Sequence, residues 1–282
     1  MSVRIVGKLA SYDIGFGNKC FAFFTGMIYA ELNNLYLHNF SLGRNNILEV
    51  DYKKFNEGKE QDLTLDDFGI SSNDYINDEL RFFGRKNYKF GCFFQNANYL
   101  NKYKDIIMKY VVVKEIEIPK SIAEYKIEDT DLLCFMRLGD KVIKNHTELV
   151  DTDYFKQIVD KNNYNKMYFI VFPENDSNID KYFSGFDEKY KQKIIFLNKS
   201  TMEEDFSMVN YFKNVALDTS TFHWWSIFLN NIKNKKIFTP KNFGSILQKH
   251  NNSLKLHGNH VKNLSNIKNE TIELDNSFIF LV

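Results

Sequence analysis

The chain has 282 residues and a mass of 33.4 kDa, enough for one large domain or two ordinary ones, with a sizeable core in either case. Thirty-seven Lys and Arg face thirty-six Asp and Glu, for a formal charge of +1, which offers no electrostatic footprint for nucleic acid or an anionic membrane. At 44% apolar and 26% charged residues the composition excludes a disordered chain, no apolar run approaches the roughly 18 residues of a membrane span, and the N-terminus lacks the apolar stretch of a signal peptide.

Residues 3–9 (VRIVGKL) predict a strand that ends in the Gly/Asp loop SYDIGFGN. From Asn18 the apolar residues Phe21, Phe24, Ile28, Leu32 and Leu35 recur at helical spacing. Strand, Gly-x-Gly loop and helix is the usual opening of an α/β domain. Residues 40–90 are less regular, and Tyr99–Val111 predicts a helix. Past Pro119 the pattern alternates: strand 132–136, helix 152–160, strands 167–172 and 193–197, helix 203–213, strand 214–218, helix 222–231 and strand 235–239. Strands spaced by helices imply a parallel, doubly wound sheet. The expected fold is therefore α/β, with a boundary near residue 125 separating domains 1–125 and 126–282. Residues 245–276 are polar and rich in Asn and Lys, and the closing FIFLV reads as packed.

The cysteines Cys20, Cys92 and Cys134 are too few and scattered for a disulfide framework or a Cys-based zinc site, and read as buried thiols. The six histidines show no HExxH and no paired helical spacing, so no metal site is expected. Three features carry chemistry. Gly15-Phe16-Gly17-Asn18 follows a strand and opens a helix, where a backbone free of side chains can approach a ligand or make a tight turn. Arg137-Leu138-Gly139-Asp140 follows a strand, where a guanidinium suits a phosphate bidentately or pairs with an Asp to close the loop. Asp218-Thr219-Ser220-Thr221 lies between a strand and a helix, where hydroxyls and free N–H groups cap that helix or grip a phosphate. Trp224 and Trp225 are consecutive, so one is expected in the core and the other toward a cleft. All three features fall at strand ends, which points to a nucleotide-diphosphate site between two α/β domains.

On these residues the chain resembles family 11 of the glycosyltransferases, the α-1,2-fucosyltransferases. GFGNKCFAFF is similar to the family's G-L-G-N-Q-x-F-Q-Y, keeping Gly15, Gly17, Asn18 and Phe21. FGCFFQNANY is similar to G-Y-x-Q-x-x-x-Y-F, keeping Gln95 and Tyr99. FMRLGD stands in the place of H-x-R-R-G-D and YFIVFPEND in that of F-F-x-F-S-D-D. EEDFSMVNYFKNVALDTSTFHWWSIFLN follows the long stretch ending N-S-S-F-S-W-W-x-A-x-L-N, and KKIFTPKNF follows the closing K-x-V-x-x-P-x-x-W. The resemblance implies a GT-B type fold, two facing Rossmann-like domains with a cleft between them. It implies inverting transfer of a sugar, most often fucose from GDP-fucose, onto a glycan hydroxyl, with no metal and no cofactor beyond the donor substrate. Arg137 would neutralise the departing diphosphate and Asn18 would sit near the reacting centre. Gly15, Gly17, Phe135, Asp140, Glu174, Thr219, Ser220, Thr221 and Phe222 would lie on the donor, Glu174 by its base. The chain departs from the family pattern at Phe135 and Leu138, where it has His and Arg, at Thr219 (Asn), at His223 (Ser) and at Lys19 (Gln). An enzyme is therefore expected, partnered by a nucleotide sugar and a glycan. It would work in a bacterial or virus-infected cytoplasm, or peripherally at a membrane. The alternatives are a catalytically idle relative that binds glycan or nucleotide, and a transferase using another nucleotide sugar. Asp13, Asp140 and Glu31 are the carboxylates open as general base.

Overall fold

The computed structural model describes residues 2–5, 15–38, 42, 46–51, 67–70, 87–90, 95, 97–138, 150–173, 178–197, 200–230, 234–240 and 271–274. They fall into two units that part between Lys114 and Glu115. The first contains β1 (Ser2–Ile5), α1 (Phe16–Leu32), β2 (Tyr36–His38), β3 (Leu48–Val50), β4 (Asp67–Ile70), β5 (Asn87–Phe90), α2 (Ala97–Lys102), α3 (Lys104–Tyr110) and β6 (Val111–Val113). Its main sheet is parallel throughout, in the order β2-β1-β5-β4, and β3 pairs antiparallel with β6. The periodicity from Phe21 to Leu32 predicts one apolar face on α1, yet Cys20 to Ala30 are all buried. A helix apolar on every side is enclosed rather than amphipathic, and the sequence FAFFTGMIYA supplies that surface. It ends where Asn34 takes φ 51°, a left-handed conformation that Asn tolerates. The helix expected over Tyr99–Val111 is two, because Tyr103 leaves helical geometry at φ −112°, ψ 23°.

The second unit carries β7 (Asp131–Arg137), α4 (Thr152–Asn162), β8 (Lys166–Phe172), α5 (Ile179–Phe183), α6 (Glu188–Lys191), β9 (Ile194–Phe196), α7 (Met202–Ser207), β10 (Asn214–Ala216), α8 (Thr221–Leu229), β11 (Lys236–Pro240) and β12 (Thr271–Leu274). The expected helix over 203–213 is shorter, tightening into a 3₁₀ turn at Met208–Asn210. Five parallel strands run in the order β9-β8-β7-β10-β11, and β12 adds antiparallel to β11. The stretch 245–276, read as merely polar, thus holds a strand; FIFLV lies outside the described residues. Numbered along the chain, the parallel order is 3-2-1-4-5, the arrangement of dinucleotide-binding sheets. Helices cover both faces. Leu132, Cys134 and Met136 point to one side, into a core with Tyr154, Phe155 and Ile158 of α4 and with Phe183 and Tyr190. Phe169 centres that core, edge-on to Phe155 and Phe183 at 5.0 Å each. Phe135 points to the other side and meets α8. Two helices are capped by side chains: Asp151 accepts from the Tyr154 N–H at the start of α4, and Thr201 and Glu204 form a reciprocal capping box on α7.

Candidate functional site at the switch point of the second sheet

β7 has β8 on one side and β10 on the other. The chain leaves these neighbours in opposite directions, which opens a crevice at the carboxyl ends of β7 and β10, the place where open α/β sheets bind ligands. Two of the three sequence features meet there. Arg137 is the last residue of β7, and Cys134 pairs with Ala216, so the turn Asp218-Thr219-Ser220 leaves the sheet at the same edge as Arg137. Asp140 and Glu174 lie outside the described residues.

Asp218 organises the crevice. It is 3% exposed, and its Oδ1 accepts from the Ser220 N–H at 2.8 Å and meets His223 Nδ1 at 2.7 Å. Burial alone would raise its carboxyl. The charge and hydrogen bond of His223, the Ser220 N–H and the charge of Arg137 together outweigh it and hold the group below the usual aspartate range. An ionised Asp218 only accepts, so Nδ1 of His223 carries the hydrogen and Nε2 lies on the opposite edge of the ring. Phe135, fully buried, stacks on that imidazole with centroids 4.2 Å apart and planes at 22°. Phe222 stands edge-on to the same ring and to Phe206.

α8 begins here. Ser220 is its N-cap and Thr221 its first helical residue. The Ser220 side chain makes no capping hydrogen bond, unlike Asp151 and Thr201 at the heads of α4 and α7. The hydroxyl whose sequence context allowed a cap is not spent on one. Thr219 is buried beside it. Both tryptophans are buried, at 3% and 0%, against the expectation that one would line a cleft. α8 is apolar on all sides, so consecutive residues are both enclosed, and Trp224 and Trp225 pack edge-on at 4.9 Å.

The remaining feature belongs to the first unit. Gly15 caps α1 at φ −56°, ψ 144°, and a Cβ there would meet nothing within 4 Å, so neither backbone nor packing demands glycine at this position. Gly17 is buried in the first turn. Asn18 Oδ1 accepts from Gln95 Nε2 at 2.8 Å. These residues follow β1 and β5, the adjacent parallel strands at this sheet's own change of direction, so two motif residues far apart in sequence are joined. Glu31 lies thirteen residues along the same helix, about 20 Å away. It accepts from Tyr110 Oη and Lys109 Nζ, a structural role rather than that of a base beside Asn18. Asp13 lies outside the described residues.

Sequence reasoning missed His223, registering it only as a departure from a motif. Its signal was the spacing Asp218…His223, which sets a strand-end carboxylate against the first turn of the following helix. Among the described residues no group of three or more His, Cys, Asp or Glu could hold a metal ion, and no helix is long and apolar enough to cross a membrane. Compared with known proteins, the chain matches no family model, no curated protein and no solved structure.

Proposed function

We propose that the protein is an inverting glycosyltransferase of GT-B type that moves a sugar, fucose from GDP-fucose before others, onto a glycan hydroxyl, in the cytoplasm or peripherally at a membrane. The observation that carries this reading is the pairing of Arg137 with the uncapped head of α8 at the switch point of a 3-2-1-4-5 sheet. A fixed guanidinium and a helix N-terminus with a spare hydroxyl form a receptor for a diphosphate. When the acceptor hydroxyl attacks the anomeric carbon, it gives its proton to a general base, Asp13 or Asp140 in this reading. The bond from that carbon to the phosphate oxygen breaks, and its electron pair passes to the diphosphate. Arg137 and the α8 dipole are positioned to stabilise that charge, so no metal is assigned the task. Thr219, Ser220, Thr221 and Phe222 make up the α8 head, and Asp140 and Glu174 complete the donor side in this reading. In the same reading Gly15 and Gly17 approach the donor, and Asn18, held by Gln95, sits near the reacting centre.

A second reading, a catalytically idle protein that binds nucleotide or glycan, draws on one observation. Phe135 is enclosed beneath His223 and has no polar atom to offer a donor base. The test is a thermal-shift screen of nucleotides and nucleotide sugars, followed by donor turnover. A melting point raised by GDP and GDP-fucose, with release of GDP from GDP-fucose, supports the enzyme. Stabilisation without any turnover supports the idle protein. UDP or dTDP binding at least about tenfold tighter than GDP removes the fucose assignment.

A further inference from the structure

Phe172 ends β8 beside the crevice, and the reaction as proposed gives it no task. At 58% exposed it is the barest aromatic ring among the described large apolar residues. Phe196, the next on this sheet at 39%, still packs against Phe169 and Phe183. Among the described residues no ring or cation lies against Phe172. One exposed apolar side chain is ordinary on a protein surface; what singles this one out is its neighbour.

Phe172 pairs in register with Arg137, and Ile170 with Phe135. Paired positions on neighbouring strands share a face of the sheet, and successive residues alternate between faces. Cys134, Met136, Phe169 and Val171 lie in the core under α4. Arg137 and Phe172 therefore share the α8 face with Phe135. The ladder continues one residue past the pair, where the Leu138 N–H donates to the Phe172 carbonyl at 2.8 Å. The sheet, rather than a loop, thus holds both side chains at its carboxyl edge, a guanidinium and an uncovered flat ring on strands about 4.8 Å apart.

We infer that the ring of Phe172 is the platform on which the base of a bound nucleotide stacks, with the phosphates turned toward Arg137. This rests on the proposed function only in placing a nucleotide at this edge of the sheet. The two side chains together fit a ligand that has negative charge and an aromatic face a short distance apart. A nucleotide has both, joined through one ribose. A neutral glycan has no anion, and a free diphosphate has no ring. Stacking uses the π-face that every base has, so the base is held by its face where Phe135 offers no polar atom to its edge.

The experiment titrates the full chain and its Phe172→Ala, Phe172→Leu and Phe172→Tyr variants with GDP and inorganic pyrophosphate by calorimetry, and with guanosine by NMR. Ala and Leu should each weaken GDP by roughly 5- to 150-fold, the range for one base stacked on an aromatic ring. Tyr should restore the affinity, because it keeps the flat face, and pyrophosphate should bind all four proteins equally. If Phe172→Ala fails to fold, NMR contacts between the Phe172 ring and the guanine of GDP in the unaltered protein decide alone. GDP binding that survives Ala or Leu, GDP and pyrophosphate weakened together, or no binding of GDP and guanosine would each overturn the inference. Pyrophosphate binding with no gain from the base overturns it and leaves the proposed function standing. Guanosine binding that needs the ring, with neither pyrophosphate binding nor sugar transfer, keeps the platform and removes that function.

Discussion

Arg137 ends a strand whose neighbours diverge, so its guanidinium is presented by the sheet rather than by a loose loop. Replacing it with Ala is expected to lower turnover roughly 100-fold, the scale of one charge-stabilising donor lost from a transition state. Lys should restore little of it, because a point charge does not reproduce a planar fork; steady-state donor turnover measures both. Asp218 allows a prediction about acid. Its folded carboxyl lies below the ordinary range, so the stability it contributes is present above the unfolded value. That contribution is lost as pH falls through the folded one, below about pH 4. Urea melts of Asp218→Asn at neutral and acid pH should show a stability deficit at neutral pH that shrinks on acidification; a constant deficit would contradict this. At this scale the sequence was partly legible. Arg137 and Ser220 could be singled out because strand ends and helix starts are local patterns. The Asp218–His223 pair could not, since its meaning depends on burial and on Phe135 arriving from another strand.

Helix heads differ in what their side chains do. On α7, the Thr201 hydroxyl accepts from the Glu204 N–H at 3.2 Å, and Glu204 Oε2 accepts from the Thr201 N–H at 2.8 Å. Thr201→Ala should therefore cost about 1 kcal/mol in chemical denaturation. Ser220 is also an N-cap but makes no such bond. Ser220→Ala should leave the denaturation midpoint nearly unchanged while weakening diphosphate affinity several-fold. A stability loss as large as that of Thr201→Ala would mean that Ser220 caps after all. The capping signature Thr-x-x-Glu was present in the sequence, whereas the idleness of Ser220 was not, because identical residue types serve both purposes. α1 shows another boundary of periodic reading. Spaced apolar residues suggested one buried face, but the intervening Ala22, Phe23, Met27 and Ala30 are buried as well, a property of the surroundings rather than of spacing.

At the level of the molecule, the alternation of strands and helices past Pro119 was enough to foresee a parallel sheet, because a parallel pair needs a crossover long enough for a helix. The strand order was not foreseeable: which neighbour β10 joins depends on packing far along the chain. The core is correspondingly shared. Phe169 touches rings from α4, α5 and β9, so Phe169→Ala should cost about 3–5 kcal/mol and lower the melting point of the second unit as a whole. Since cationic stabilisation is assigned to Arg137 and the α8 dipole, transfer should continue in excess EDTA. Loss on chelation with recovery on adding Mn²⁺ or Mg²⁺ would contradict that assignment.

The two tryptophans of the chain are adjacent on α8, and the first is bonded in sequence to His223. Every photon of tryptophan emission therefore originates within one helix, a few residues from the place where a diphosphate would settle. The unit formed by β1–β6 is dark at those wavelengths. Both indoles are shielded from water and meet edge-on, so emission should be blue-shifted in the native state and move to the red only when the second unit opens. A fluorimeter alone could then follow the opening of the second unit, seen as a change in colour, without any signal from the first.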